Sequence, residues 1–295
     1  MKLFVIRLFG YTTLLFLLLG ALDFFVFPKN TNVMSIKNTL LKDKTAEVLV
    51  LGNSHTFFGL DPALFTKKTI NIANKSRKIE SDYFILKNNL KALQKIKVVI
   101  VPISHYTLFT ENISQEEKRL YYNFYELEEY NQGIFYNSLV LNESFKELVD
   151  DAISKNTRIS NLGWRANDDK YKFDKKIIDK RVGNIEERLS RKLTIEKNSY
   201  YLKKIINLCH NNKIQLFLLL PPYHPDFYTY SNHRYNKKNK SILKTLDLKS
   251  SLLIESDVFK IVEDKYFENI DHLNKNGAIL FSKKIDSLIN LKVHD

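Results

Sequence analysis

An unbroken apolar run opens the chain, and beyond it short apolar stretches alternate with longer amphipathic ones. Leu8 to Phe27 reads LFGYTTLLFLLLGALDFFVF, and at a rise of about 1.5 Å per residue a helix of that length spans a bilayer core. A helix on a domain surface would carry a polar stripe, and this run has none. Lys2 and Arg7 precede it with no acid among them, so the positive-inside rule predicts a single-pass protein of the cell membrane, with a cytoplasmic N-terminus and an extracytoplasmic remainder. Asp23, near the outer end, is the only charge in the run. Cleavage after Ala21 would leave Leu19 where a small residue is needed, which favours an uncleaved signal anchor over residues 1–28. Residues 29–45 are polar and lysine-bearing, a stalk or a first helix.

From residue 46 onward the pattern changes to one of strands and helices. Glu47 to Leu51, Thr69 to Ile72, Lys97 to Pro102 and Ile214 to Leu220 are short apolar runs, the signature of strands buried on both faces. Ile79, Tyr83, Leu86, Leu90 and Leu93 recur in steps of four and three and predict an amphipathic helix. Tyr201, Ile205 and Leu208 predict another, and Ala278, Phe281, Ile285 and Leu288 a closing one. This order implies an α/β domain over residues 46–295, with a central parallel sheet between two helical layers. The stretch at about 115–195 is charged, tyrosine-rich and weakly periodic, and reads as a helical insertion containing Trp164.

A formal net charge of +13 comes almost wholly from dispersed lysines. Nucleic-acid readers gather their bases on one helix or loop beside a recognisable motif, which is absent, so that class is excluded. Anionic envelope polymers and lipid head groups stay compatible with the charge. The single Cys209 can form no internal disulfide and has no companions for a metal site, so it reads as a small buried hydrophobe. Neither a metal nor a cofactor is implied.

In parallel α/β sheets ligands collect beyond the carboxyl ends of the strands. Gly52-Asn53-Ser54-His55 follows the first strand there, and a serine on such a turn either caps the next helix or stands exposed as a nucleophile. Asn269-Ile270-Asp271-His272-Leu273-Asn274 precedes the closing helix. A histidine beside carboxylate and carboxamide groups either lies idle on the surface or takes a proton from a serine hydroxyl while a neighbour fixes its tautomer. Pro221-Pro222-Tyr223-His224 follows the last of these apolar runs, where Tyr223 packs into a prolyl turn or, with His224, touches a sugar or acyl group.

GNSH after the first strand and DHLN before the last helix together resemble the SGNH (GDSL-like) hydrolase superfamily. The likeness is nearest to its membrane-anchored bacterial branches, which include polysaccharide O-acetylation and D-alanyl-lipoteichoic acid biosynthesis proteins. It covers residue 47 to about 109 and residue 213 to about 291, and it implies a flavodoxin-like three-layer sandwich. By the resemblance Ser54 is the nucleophile and His272 the general base. The block holding Asn74 and Ser76 falls where the family has an oxyanion glycine, with Ser76 at that glycine's position. His105, beside Ser104, falls where it has an oxyanion asparagine. Asn269 stands where the family has the acid that orients the histidine. Asp271 can substitute only if its loop turns it back.

The function so implied is an extracytoplasmic serine esterase or O-acyltransferase acting on acyl groups, acetyl foremost, of a cell-envelope polysaccharide or other acyl-bearing glycan. A membrane-bound acyltransferase would be its natural partner. Asn269, Ser76 and His105 leave open an inactive accessory protein of the same fold, and the resemblance also admits a component of teichoic acid D-alanylation.

Overall fold

The computed structural model describes residues 1–23, 33–144, 159–190, 195–231 and 234–293. Residues 24–27 of the apolar run, 29–32 of the expected stalk, and 145–158 and 191–194 of the expected insertion lie outside the described residues. In chain order the main elements begin with α1 (Lys2–Ala21), α2 (Val33–Leu40), β1 (Val48–Val50), α3 (Ser54–Gly59), β2 (Thr69–Asn71), α4 (Ile79–Asn89) and β3 (Val98–Pro102). Next come α5 (Gln115–Tyr125), α6 (Ile134–Asn137), α7 (Leu139–Asn142), α8 (Lys175–Ser190), α9 (Ile195–Asn211), β4 (Gln215–Leu219) and α10 (Pro225–Tyr230). The series closes with α11 (Arg234–Thr245), β5 (Leu252–Ile254), β6 (Phe267–Asn269), β7 (His272–Leu273) and α12 (Lys275–Lys292).

Two compact units result, one from residues 1–38 and 114–157, the other from residues 39–113 and 158–295. The second holds a parallel five-stranded sheet in the order β2-β1-β3-β4-β5. Side chains alternate across a strand. Val48, Val50, Val98, Ile100, Phe217 and Leu219 therefore share one face, packed with Phe281, Ile285 and Ile289 of α12. Leu49, Val99, Leu216 and Leu218, all essentially inaccessible, point the other way. On that side α9 packs on β4 and on α4, burying Ile85, Leu86, Leu202, Ile205, Ile206 and Cys209. Helix, sheet, helix is the α/β layering that the apolar pattern predicts. Each fully buried Leu, Val or Phe contributes about 1.5–3 kcal/mol relative to exposure, and the strands are built almost entirely of such residues.

Two features depart from the expected elements. β5 is absent from the sequence reading because Leu252 to Ile254 is short and only half-buried. Trp164, expected within the helical insertion, belongs to the sheet-bearing unit: its indole N–H donates to the Phe58 carbonyl at 2.8 Å, and the segment beside it lies along the edge of the sheet, where the Asn71 N–H donates to the Leu162 carbonyl at 2.8 Å.

In the first unit, α1 is long and apolar enough to cross a membrane and is largely exposed. A capping box between Ser114 and Glu117 starts α5. Phe124 and Leu139 form a small core with Met34, Leu120 and Val140.

The sharpest backbone constraint falls where β1 ends. Gly52 has φ +105°, and a Cβ there would lie 2.1 Å from Cδ of Pro102 on β3. Both the left-handed conformation and the close approach demand glycine. Gly52→Ala is expected to cost roughly 3 kcal/mol of stability, read as a lowered thermal midpoint in detergent; an unchanged midpoint would contradict this account of the turn.

Candidate active site

The exit from β1 is braced on every side. The Gly52 N–H donates to Asp82 Oδ1 at 3.1 Å, and burial pushes the Asp82 carboxyl up to about 6, against the opposing charge of Arg77. Asn53, not Ser54, caps α3: its Oδ1 accepts the His55 N–H at 3.1 Å, while its Nδ2 donates to Ser104 Oγ at 3.2 Å. Thr56 Oγ1 donates to the Leu51 carbonyl at 2.7 Å. With the capping duty on Asn53, the Ser54 hydroxyl is left to point out of the loop.

The second loop is fixed by carboxamides. Asn274 caps α12 by accepting the Gly277 N–H at 3.1 Å, and its Nδ2 donates to the carbonyls of Lys265 and Phe267, both at 3.0 Å. Asn269 Oδ1 accepts the N–H groups of Asp271 at 3.1 Å and His272 at 3.0 Å. These bonds hold the β6–β7 hairpin so that His272 Nε2 lies 2.8 Å from Ser54 Oγ. Tyr106 OH stands 3.4 Å from the same hydroxyl. The His55 ring is stacked on that of His272, with centroids 4.7 Å apart and an interplanar angle of 5°, which fixes the plane of the imidazole.

Three groups approach Nδ1 of His272, and they ask for different tautomers. Asn269 Oδ1 and Asp271 Oδ1 each lie 3.4 Å away, so the hairpin does turn Asp271 back. Arg181 of α8 is closer, with Nη2 at 2.8 Å, and its Nε donates to Asp271 Oδ1. A guanidinium only donates. At that distance Nδ1 must therefore accept, the ring proton sits on Nε2, and Ser54 Oγ is the acceptor of the 2.8 Å bond. In this state His272 cannot take the serine proton. Burial alone would raise the Asp271 carboxyl, but the His272 ring beside it and the Arg181 guanidinium bonded to it outweigh that and hold it well below the usual carboxylate range. A fixed negative charge therefore lies beside the ring whichever nitrogen carries the proton.

The remaining predicted residues have partners or positions of their own. Ser76 is exposed and has φ +56°, a left-handed conformation that glycine adopts most readily. Asn74 donates its N–H to the Gly52 carbonyl at 3.0 Å and so ties the two loops. Ser104 Oγ is engaged with Thr107 Oγ1 at 2.8 Å and with Asn53, which makes it a brace of the serine loop. The His105 N–H donates to Tyr223 OH at 2.9 Å, and Nδ1 lies 3.2 Å from the same oxygen. Burial raises the Tyr223 phenol well above its ordinary range, so it keeps its proton and donates it to Nδ1. His105 Nε2 then carries a hydrogen, buried and without a partner among the described residues. His224 is not brought to the pair by any hydrogen bond described. Its Nδ1 accepts the Asp226 N–H at 3.1 Å and its Nε2 lies 3.0 Å from Asp264 Oδ1, so it caps α10. Tyr223 stacks on Phe227 at 4.4 Å, as an aromatic in a prolyl turn would.

His55, Asp271 and His272 offer ligand atoms within 4.8 Å of one another. Arg181 already bonds two of the three, so a cation would have to displace a guanidinium. Sequence reasoning missed Arg181, Tyr106 and the stacking of His55. Tyr106 directly follows the block containing His105 and was within reach of it; no local signal marks Arg181.

No protein-family model matches the chain, and neither does any curated protein. Its fold is similar to that of a solved structure from Streptococcus pneumonia described as "a putative platelet activating factor", at 12% identity and a TM-score of 0.44, over 87% of this chain and 91% of that one.

Two outcomes follow from the electrostatics of the site. Arg181→Gln is expected to return the proton to Nδ1 of His272, seen as an exchange of the two ring-nitrogen shifts in ¹⁵N spectra; identical spectra in both proteins would rule out the guanidinium as the determinant. Burial lowers His105 from 6.5 to about 4. The unfolded chain therefore takes up a proton first as pH falls, and stability present above 6.5 is lost down to about 4, by roughly 3 kcal/mol. The thermal midpoint in detergent should drop across that window, and less so in His105→Gln.

Proposed function

We propose that the chain is a membrane-anchored serine esterase or O-acyltransferase acting outside the cytoplasm on acyl groups, acetyl foremost, of a cell-envelope polysaccharide. The observation that carries this reading is the 2.8 Å hydrogen bond between Ser54 Oγ and His272 Nε2, a nucleophile and a base within direct reach. The lysine-rich surface favours a polymer bearing negative charge.

Reaction begins when Arg181 leaves Nδ1 and the ring proton moves there, held by Asp271 and Asn269. Nε2 then accepts the proton of Ser54 as Oγ attacks the ester carbonyl. The oxyanion is met by the N–H groups of Ser54 and Ser76 and by Nε2–H of His105, whose missing partner is the feature in favour of that role. His272 gives its proton to the departing alcohol, leaving acyl-Ser54, and water or a sugar hydroxyl releases the acyl group by the reverse sequence. Hydrolysis and transfer differ only in that acceptor.

A second reading is favoured by the Arg181 contact itself: an accessory protein of the same fold, whose imidazole is held permanently in the wrong tautomer. The full chain in detergent, assayed on p-nitrophenyl acetate, separates the two. Ser54→Ala is expected to lower the rate by roughly a thousandfold or more, and Arg181→Gln to raise it. Equal background rates in wild type, Ser54→Ala and Arg181→Gln would reject the enzyme.

A further inference from the structure

Within the first unit, Asp23 is the one charge of the apolar run, and a carboxylate at a membrane boundary needs partners. It finds them in α6–α7: Ser138 Oγ donates to Oδ2, and the Val140 N–H donates to Oδ1 at 2.9 Å. Asp23 follows α1 by two residues, so it stands about 3 Å beyond a helix that is itself about as long as the hydrocarbon core is thick. Residues 134–142 therefore sit at that boundary.

Their surface is unlike that of a wet loop. Ile134 is 85% exposed, Phe135 70%, Tyr136 61% and Leu141 48%, a concentration of large apolar side chains that water does not favour. The backbone beneath them is closed off by side chains. Asn142 Nδ2 donates to the carbonyls of Phe135 at 2.7 Å and Ser138 at 2.8 Å, Arg119 Nη1 to that of Tyr136 at 3.2 Å, and Asn123 Nδ2 to that of Asn137 at 2.7 Å. Four consecutive carbonyls are thus satisfied without solvent. A surface loop can leave such groups to water, whereas a segment entering lipid cannot.

We infer that α6–α7 is a second membrane contact, which inserts Ile134, Phe135, Tyr136 and Leu141 into the headgroup and acyl boundary next to the outer end of α1. The occupant is the lipid bilayer, since the patch is continuous with the span through the Asp23 bonds. Insertion to the usual depth of about 5–10 Å fits an interfacial segment. The inference rests on α1 being a span, and it is independent of the chemistry at Ser54.

The test uses the full chain with Cys209→Ala, reconstituted at one copy or fewer per vesicle of phosphatidylethanolamine and phosphatidylglycerol. An environment-sensitive dye is placed at Phe135→Cys or, separately, at Leu14→Cys in the middle of α1. The expected result is a blue-shifted Phe135 probe, quenched by lipids nitroxide-labelled near the headgroup and shielded from aqueous iodide, with the Leu14 probe quenched by deep nitroxides. A Phe135 probe as open to iodide as free dye, beside a deeply quenched Leu14 probe, overturns the inference while leaving the span intact. A Leu14 probe untouched by lipid nitroxides removes the span, and the inference with it. Pure lipid at this dilution leaves neither a protein partner nor a second copy to account for shielding.

Discussion

A hydroxyl and an imidazole 218 residues apart share one hydrogen bond, and it exists because two loops meet at one end of a parallel sheet. Everything local serves that meeting. Gly52 turns the chain against Pro102, Asn53 takes over the helix cap, and Asn269 and Asn274 set the far hairpin by bonding backbone. None of these residues needs to touch a substrate. Their common effect is to spend carboxamide and glycine chemistry on geometry, leaving serine and histidine for one another.

The electrostatics around the pair run in two directions. Burial strips charge from His55 and His105, both lowered, so these two imidazoles stay neutral. Asp271, by contrast, is buried and ionised, held so by His272 and Arg181. A cation from α8 thus sits against both Asp271 and Nδ1 of His272, stabilising the carboxylate while placing the ring proton on Nε2.

The sheet was largely legible in the sequence, because strands buried on both faces leave contiguous apolar runs such as KVVIVP and IQLFLLL. β5 was not, since three half-buried residues between Ser251 and Glu255 make too short a run. The two loops were legible through GNSH and DHLN, motifs whose glycine and asparagines have backbone duties that read as local spacing. Arg181 lies in KKIIDKRVGNIEER, where several basic residues look alike until α8 packs beside the hairpin. Whether Asp271 would turn back toward His272 depended on an irregular β6–β7 register, and pairing irregularity of that kind has no signature in composition or period.

The segment running along β2 carries one more consequence. An edge strand with free amides is a template on which another chain can add itself. Here Leu162 accepts from Asn71, and Gly163 lies so near that a Cβ would stand 2.0 Å from the Asn71 carbonyl oxygen. One end of the β2 rim is thereby shut to strand addition by the chain's own fold, so a neighbouring copy cannot extend the sheet there.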